Sequence, residues 1–130
     1  MRIENWRSNL LVYLDGRERQ SFAYGVNDCL LMTAGAVEAM TGIDHAKAYR
    51  GCYSTLTQGK KIIGGEPLDL VASIFPAIPP SQAADGDIGA KPVGQEWAFG
   101  VIVGPHFYVQ AETGLGILPR GDIQKAFRVE

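Results

Sequence analysis

Hydrophobic positions recur at two different periods along the chain, and the change between them falls beyond its middle. In the first half, apolar residues follow three- and four-residue steps, as they do on one face of a helix. In the second half, short apolar and aromatic runs are separated by glycine and proline, as in strands joined by tight turns. Helices followed by strands predict an α+β fold rather than alternating helix and strand units.

Two helices are predicted in the first part of the chain. The apolar stripe of the first, which is predicted to end near Gly16, consists of Ile3, Trp6, Leu10, Tyr13 and Leu14. The second is predicted to begin after Asn27 or Asp28, either of which can cap it, and to end at Gly42. Its centre, residues 33–36, has small side chains that let another element approach closely, so we expect this helix to be central and buried.

In the middle of the chain, the sequence pattern predicts three short helical segments and a loop. Asp44 can cap a helix through residues 45–49, and residues 56–65 and 67–75 have the pattern of two further amphipathic turns. Lys60 and Lys61, which lie in residues 56–65, are interpreted as a solvated helix face. The segment that follows, "PAIPPSQAADG", contains three prolines and is predicted to be a loop.

The second half predicts a small antiparallel sheet of meander type. Its strands are expected in "GDIGA", "EWAFGVIVG", "HFYVQAE" and "GLGILP", with "AFRV" as one edge strand. Four aromatic residues alternate around the central hairpin, so one pair is expected in the core while the other lines a groove or an interface. They are Trp97, Phe99, Phe107 and Tyr108.

Length and composition limit the functions that need to be considered. The chain has 130 residues, of which 46% are hydrophobic and 20% are charged, which predicts a single domain over residues 1–130. A net charge of −2 with scattered basic residues gives no electrostatic case for nucleic acid. No apolar run is long enough to span a membrane, and charges occupy the first twenty residues where a signal peptide needs its apolar centre, so we expect a soluble protein of the cytoplasm.

Cysteine and histidine are too few and too scattered to predict a metal site or a cofactor. Cys29 and Cys52 form no CxxC motif and no cluster with the two histidines, which argues against structural zinc. A disulfide between the two cysteines stays open on sequence grounds, although a cytoplasmic origin argues against it.

Cys29 stands at the predicted start of the second helix, directly after Asp28. The unpaired N–H groups and the positive dipole end of a helix stabilise a thiolate, so this position favours a nucleophile and predicts that Cys29 alkylates faster than Cys52. The alternative interpretation is a packing residue, because free cysteine is among the most buried residue types. Leu30 and Leu31 beside it are expected to face the core.

Three segments resemble the NlpC-type papain-like cysteine peptidases. "FAYGVNDCLLMTAGAVEAMTG" resembles their nucleophile helix, in which an aromatic-Gly stretch leads into Asp-Cys at a helix start. "GDIGA" resembles the Gly-Asp opening of their sheet, and "FGVIVGPHFYVQAETG" resembles the hairpin that follows. The chain as a whole is similar to a family of small proteins encoded in phage tail and prophage gene clusters, whose pattern falls here at Tyr24–Cys29, Thr41–Asp44 and Arg50–Tyr53.

The resemblance implies a papain-like fold in which N-terminal helices, including a central nucleophile helix, pack on a small C-terminal antiparallel sheet. It implies that Cys29 is the nucleophile and that Gln110 is the polar residue that orients a general base. The base itself is missing, because alignment through Gly100 and Gly104 puts Ala98 where the peptidases have histidine. Alanine has no ionisable group, so the usual Cys–His pair cannot form.

Other groups are weak substitutes for that histidine. Asp28 and Glu96 can accept protons and tune Cys29, but a carboxylate of ordinary pKa is a poor base for a thiol near pH 7. His106 is predicted in the turn of the hairpin, far from position 98, and His45 is predicted at the helix end opposite Cys29.

Two functions follow from the resemblance. The first is a degenerate or altered amidohydrolase that acts on cell-wall (peptidoglycan) peptide within a phage or prophage tail, and the alternative is a non-catalytic structural subunit of a tail tip or its assembly. The implied partners are tail-tip proteins and peptidoglycan peptide, without nucleic acid, membrane insertion or a cofactor. The implied location is the cytoplasm of the bacterial host, with the virion tail as a later destination. A cytoplasmic binding module unrelated to phage is a third reading.

Overall fold

The computed structural model describes all 130 residues and has an α+β fold, as predicted. The helices are α1 (Trp6–Gly16), α2 (Cys29–Thr41), α3 (Leu56–Ile63) and α4 (Pro67–Ile74). The strands are β1 (Ala77–Ile78), β2 (Ile88–Val93), β3 (Glu96–Val103), β4 (His106–Gln110), β5 (Leu115–Pro119) and β6 (Lys125–Phe127). Single 3-10 turns lie at Pro80–Gln82 and Arg120–Asp122. None of the helices has the length and apolar character that crossing a membrane requires.

The four helices lie where the sequence predicted them, and cap residues explain the ends of α2 and α3. The Asp28 side chain caps α2, and Gly42 ends it with a φ of 80°, a left-handed conformation that glycine adopts without strain. The helix predicted through residues 45–49 is wrong, because this segment forms a series of turns. The Asp44 carboxylate there accepts from the Ala46 N–H but is also bound by Arg50, which ties the segment into a compact loop.

α1 crosses α2 at the small residues in the centre of α2. The Tyr13 hydroxyl donates to the Met32 carbonyl at 2.8 Å, and the ring lies directly over Gly35. A Cβ atom at Gly35 would stand 2.1 Å from the Tyr13 hydroxyl oxygen, so glycine is required by this close approach. The prediction of a buried central helix is thereby confirmed.

The sheet is antiparallel, with the strand order β1-β6-β2-β3-β4-β5. The four strands from β2 to β5 form the predicted meander. The edge position predicted for the last strand is wrong, because β6 lies between β1 and β2. The predicted loop also contains β1, whose residues pair with β6 at the outer edge, where flanking prolines do not interrupt a ladder.

Each face of the sheet carries part of the core. The larger cluster joins α1, α2 and α4 to one face and consists of Leu10, Leu14, Ala36, Val37, Met40, Val71, Ile88, Ala90, Phe99, Val101, Phe127 and Val129. The smaller cluster covers the other face and consists of Ala83, Ile102, Phe107, Val109, Ile123 and Ala126. Phe99 and Phe107 are the fully buried aromatic residues of the hairpin, whereas Trp97 and Tyr108 are only partly buried. The alternation did not predict these pairs, because the two phenylalanines lie in different clusters on opposite faces of the sheet.

An ion pair holds the two chain ends next to the start of β2. The Arg2 guanidinium lies 3.0 Å from the buried carboxylate of Asp87 and donates to the Val129 carbonyl, while the Val129 N–H donates back to Asp87. Gly86 has a φ of 89°, and a Cβ atom there would stand 2.7 Å from the Arg2 guanidinium. The Gly-Asp pair at the start of the sheet therefore has a structural role.

Replacement of Gly35 with alanine tests the contact between α1 and α2. In an open helix this change favours folding, but here the added methyl must displace the Tyr13 ring, so we expect the free energy of unfolding to fall by about 1–3 kcal/mol. Gly16→Ala is the matched control, because Gly16 ends α1 with open space around its Cβ position. Urea denaturation of both variants measures the effect, and equal stability of Gly35→Ala and the parent would contradict the packing described.

Candidate functional site

The Asp28 carboxylate is the acceptor of three hydrogen bonds at the start of α2. Oδ1 accepts from the Leu31 N–H at 2.9 Å, and Oδ2 accepts from the Gly25 N–H at 3.0 Å and from the Tyr53 hydroxyl at 2.5 Å. The residue is buried. Because both oxygens serve neighbouring donors, Asp28 acts as a helix cap and an anchor for two loops rather than as a positioned proton acceptor.

Glycine at position 25 allows the loops around Asp28 to pack closely. Gly25 has a φ of 78° and accepts from the Gly51 N–H at 2.7 Å, and a Cβ atom there would stand inside contact distance of the Tyr53 carbonyl. This contact brings Tyr53 over the start of α2. The neighbouring Arg50 makes two hydrogen bonds to Asp44, at 2.8 and 3.1 Å. Of the three short segments quoted for the sequence resemblance, Arg50–Tyr53 therefore contacts both of the others.

Cys29 is the first residue of α2 and lines a cavity of about 470 Å³ between α2, α3 and the sheet. Most of the wall is hydrophobic, and its aromatic residues are Phe22, Tyr24, Tyr49, Tyr53, Trp97 and Phe99. The thiol is partly buried and is not in a disulfide, so the disulfide that the sequence left open is absent. The volume falls within the range of small-molecule and peptide side-chain pockets.

Burial raises the pKa of the Cys29 thiol to about 11. The backbone N–H groups of Phe99, Cys29 and Leu30 lower it, as expected near a helix N-terminus, but they do not overcome the cost of desolvating a thiolate. The negative charge of Asp28 raises it further. The structure therefore predicts the opposite order of alkylation from the one predicted by the sequence, because Cys52 is exposed and Cys29 is a partly buried thiol with a raised pKa.

Gln110 ends β4 and also lines the cavity. Its Nε2 donates to the backbone carbonyls of Gln20, Ala111 and Gly114, at 2.6, 2.9 and 3.4 Å. These bonds fix the amide plane. Its Oε1 is buried and has no partner, so the cavity wall carries one unsatisfied acceptor.

Ala98 lines the same cavity as Cys29, but neither histidine does. Strand alternation puts Ala98 on the sheet face of Ile102, whereas Cys29 packs on the opposite face, with Phe99 and Val101. The prediction that His106 lies in the hairpin turn is wrong, because it is the first residue of β4 and pairs with Val103, and the exposed His45 packs against Phe75. No imidazole therefore lies at the thiol.

Charged groups stand at the rim of the cavity. Lys60 lies 2.8 Å from Glu96 and 3.0 Å from Glu66, and Lys91 lies 3.2 Å from Asp122. Lys60 is partly exposed, as predicted, but the adjacent strand supplies an ionic partner that the helical pattern could not indicate. Its neighbour Lys61 is exposed, as predicted. No group of three or more His, Cys, Asp or Glu side chains is placed to hold a metal ion.

Tyr53 is the site residue to which the sequence analysis gave no role. Burial and its hydrogen bond to Asp28 raise the pKa of its hydroxyl far above the ordinary value. It is therefore a neutral donor at physiological pH. The "RG-x-Y" pattern marked its position, but only the fold shows that it reaches a carboxylate 25 residues away in sequence.

Comparison with protein families gives one match, to the family described as "Domain of unknown function (DUF6950)", over residues 1–129. Searches among curated proteins and solved structures found no similar protein.

Replacement of Tyr53 with phenylalanine tests the anchor at Asp28. The change removes a donor from a buried carboxylate, so we expect the free energy of unfolding to fall by about 1.5–3 kcal/mol. Tyr49→Phe is the matched control, because Tyr49 lines the same cavity while its hydroxyl makes no hydrogen bond within the protein. Denaturant titration of both variants measures the difference, and equal losses in the two would show that the Tyr53 hydroxyl is not the anchor.

Proposed function

The chain belongs to the DUF6950 family, whose description states no activity, and we propose that it is a papain-like protein whose Cys29 cavity binds cell-wall peptide without hydrolysing it. The observation that carries this proposal is a cysteine at a helix start, inside a cavity that contains no imidazole. The phage or prophage tail setting is proposed from the sequence resemblance alone.

The papain-like assignment is supported by the elements around the sulfur. Cys29 begins a central helix that packs on an antiparallel sheet, and Gln110 reaches the same cavity from the strand after β3. Backbone N–H groups of α2 and of Phe99 lower the pKa of the thiol, although burial outweighs them. In an active thiol hydrolase such groups would stabilise an oxyanion.

The absence of hydrolysis is supported by the protonation of the thiol. With a pKa of about 11, only about one Cys29 in ten thousand is a thiolate near pH 7. No histidine is present to take the proton or to protonate a leaving amine. Asp28 cannot substitute, since its oxygens already accept hydrogen bonds from Leu31, Gly25 and Tyr53.

The lining of the cavity suits one apolar side chain of a peptide. Aromatic and aliphatic groups form most of the wall, and burial of an apolar side chain against them supplies the binding free energy.

Muropeptides from digested peptidoglycan test the proposal. Trp97 lines the cavity, so its fluorescence in a Trp6→Phe variant should change saturably on binding, while mass spectrometry of the mixture should find every peptide intact. Protein alkylated at Cys29 is the control, because the adduct occupies the cavity and should abolish the signal. Cleavage that depends on Cys29 would contradict the non-hydrolytic assignment, and the absence of a saturable signal would contradict peptide binding.

A structural subunit of a phage tail is the second candidate function. It is favoured by the use of Asp28 and Tyr53, since both ionisable groups beside the thiol serve to hold the fold together. If muropeptides neither bind nor react, this candidate is preferred.

Replacement of Ala98 with histidine tests the papain-like alignment. If the papain-like alignment is right, an imidazole at position 98 forms an ion pair with the thiolate, and the pKa of Cys29 should fall below its value of about 11. Ala98→Gln is a control of similar size that has no ionisable group. The pH dependence of Cys29 alkylation measures the shift, and an unchanged titration in a folded Ala98→His protein would refute the alignment.

A further inference from the structure

α3 forms one wall of the Cys29 cavity but is not part of the hydrophobic core. Leu56, Gly59, Lys60 and Ile63 line the cavity, and no residue of α3 belongs to either core cluster. Its one buried residue is Gly59, which lies against the Tyr53 ring. The helix therefore rests on the cavity rather than on packed side chains.

Two glycines with open surroundings follow the helix. Gly64 ends it with a φ of 80°, and Gly65 comes next. Neither has a neighbouring atom within 4 Å of its Cβ position, so rotation there meets no side chain, which is the property of a hinge. Before the helix, Tyr53 is held by Asp28, so the segment that can move begins after it, at Ser54.

A single side-chain contact joins this segment to the sheet. Of the hydrogen bonds made by residues 54–65, only the one from Lys60 Nζ to Glu96 Oε2, at 2.8 Å, crosses the cavity to β3. The second partner of Lys60 is Glu66, which directly follows the segment and does not cross. Both side chains of the crossing pair are partly exposed, so the contact is weak and is screened by salt.

We propose that α3 is a lid over the Cys29 cavity, held closed by the Lys60–Glu96 ion pair and opened by rotation about Gly64 and Gly65, while Tyr53 stays bound to Asp28. The inference deepens the proposed function and rests on it, because a ligand of the cavity would enter through this opening. A weak, exposed pair suits this task, since a strong buried one would keep the cavity shut.

Alkylation of Cys29 by neutral reagents measures the opening without any ligand. In a Cys52→Ser background, Lys60→Gln and Glu96→Gln should each raise the rate with N-phenylmaleimide about twofold or more, and the double variant should react no faster than the faster single one. The rate of alkylation by the smaller reagent, iodoacetamide, should rise less in these variants. Lys61→Gln and Glu66→Gln are the controls, and both should react at the parent rate.

The two single variants also separate a lid from a simple charge effect on the thiol. Loss of the lysine cation would raise the pKa of Cys29 and slow the reaction, whereas loss of the glutamate charge would lower that pKa and speed it. A lid requires both variants to react faster. Opposite changes, or parent rates in both, would overturn the proposal, and neither result depends on whether the cavity binds muropeptides.

Discussion

The carboxylate of Asp28 is the interaction on which the site depends. It caps α2, fixes the turn at Gly25 and receives the Tyr53 hydroxyl, so one buried group joins three separate segments. Each donor compensates part of the cost of burying a carboxylate. The same arrangement sets the position of Cys29, because the residue after a helix cap has its backbone direction fixed by that cap. An acid used in this way is not available as a base.

Two opposing effects act on the Cys29 thiol, and burial is the larger. A helix N-terminus and its N–H groups favour a thiolate by about 2 kcal/mol at most. The pKa is nevertheless raised to about 11, so desolvation in an apolar cavity exceeds that contribution. The chemistry of the site follows from this balance. A cysteine at a helix start is reactive only if solvent or a cation also reaches it, and here the wall is aromatic and the nearest charge is negative.

Local signals were sufficient to predict much of the fold. Asp28 and Gly42 mark the ends of α2, and the small residues around Gly35 predicted the close approach that Tyr13 makes. What failed depended on contacts between distant segments. The place of β6 inside the sheet is set by its pairing with β1 and β2, and no local pattern encodes that choice. The turns after Asp44 likewise depend on a long side chain, Arg50, that binds the predicted cap.

The candidate site was likewise predicted only where local signals mark its residues. Cys29, Asp28 and Gln110 were identified from the sequence, and Cys29 and Gln110 line one cavity with Asp28 at its edge. The role of Tyr53 and the bridge from Lys60 were missed, because both are contacts between loops or elements whose spacing carries no periodic signal.

The account rests most directly on the neutrality of the Cys29 thiol. Thiolate absorbance in the ultraviolet, recorded across pH for the Cys52→Ser protein and corrected with a Cys29→Ser, Cys52→Ser double variant, measures its pKa without a substrate or a reagent. The account predicts a midpoint near 11. A midpoint at or below the ordinary thiol value of about 8.5 would show that the helix N-terminus outweighs burial, and would contradict the description of this cavity as a non-hydrolytic site.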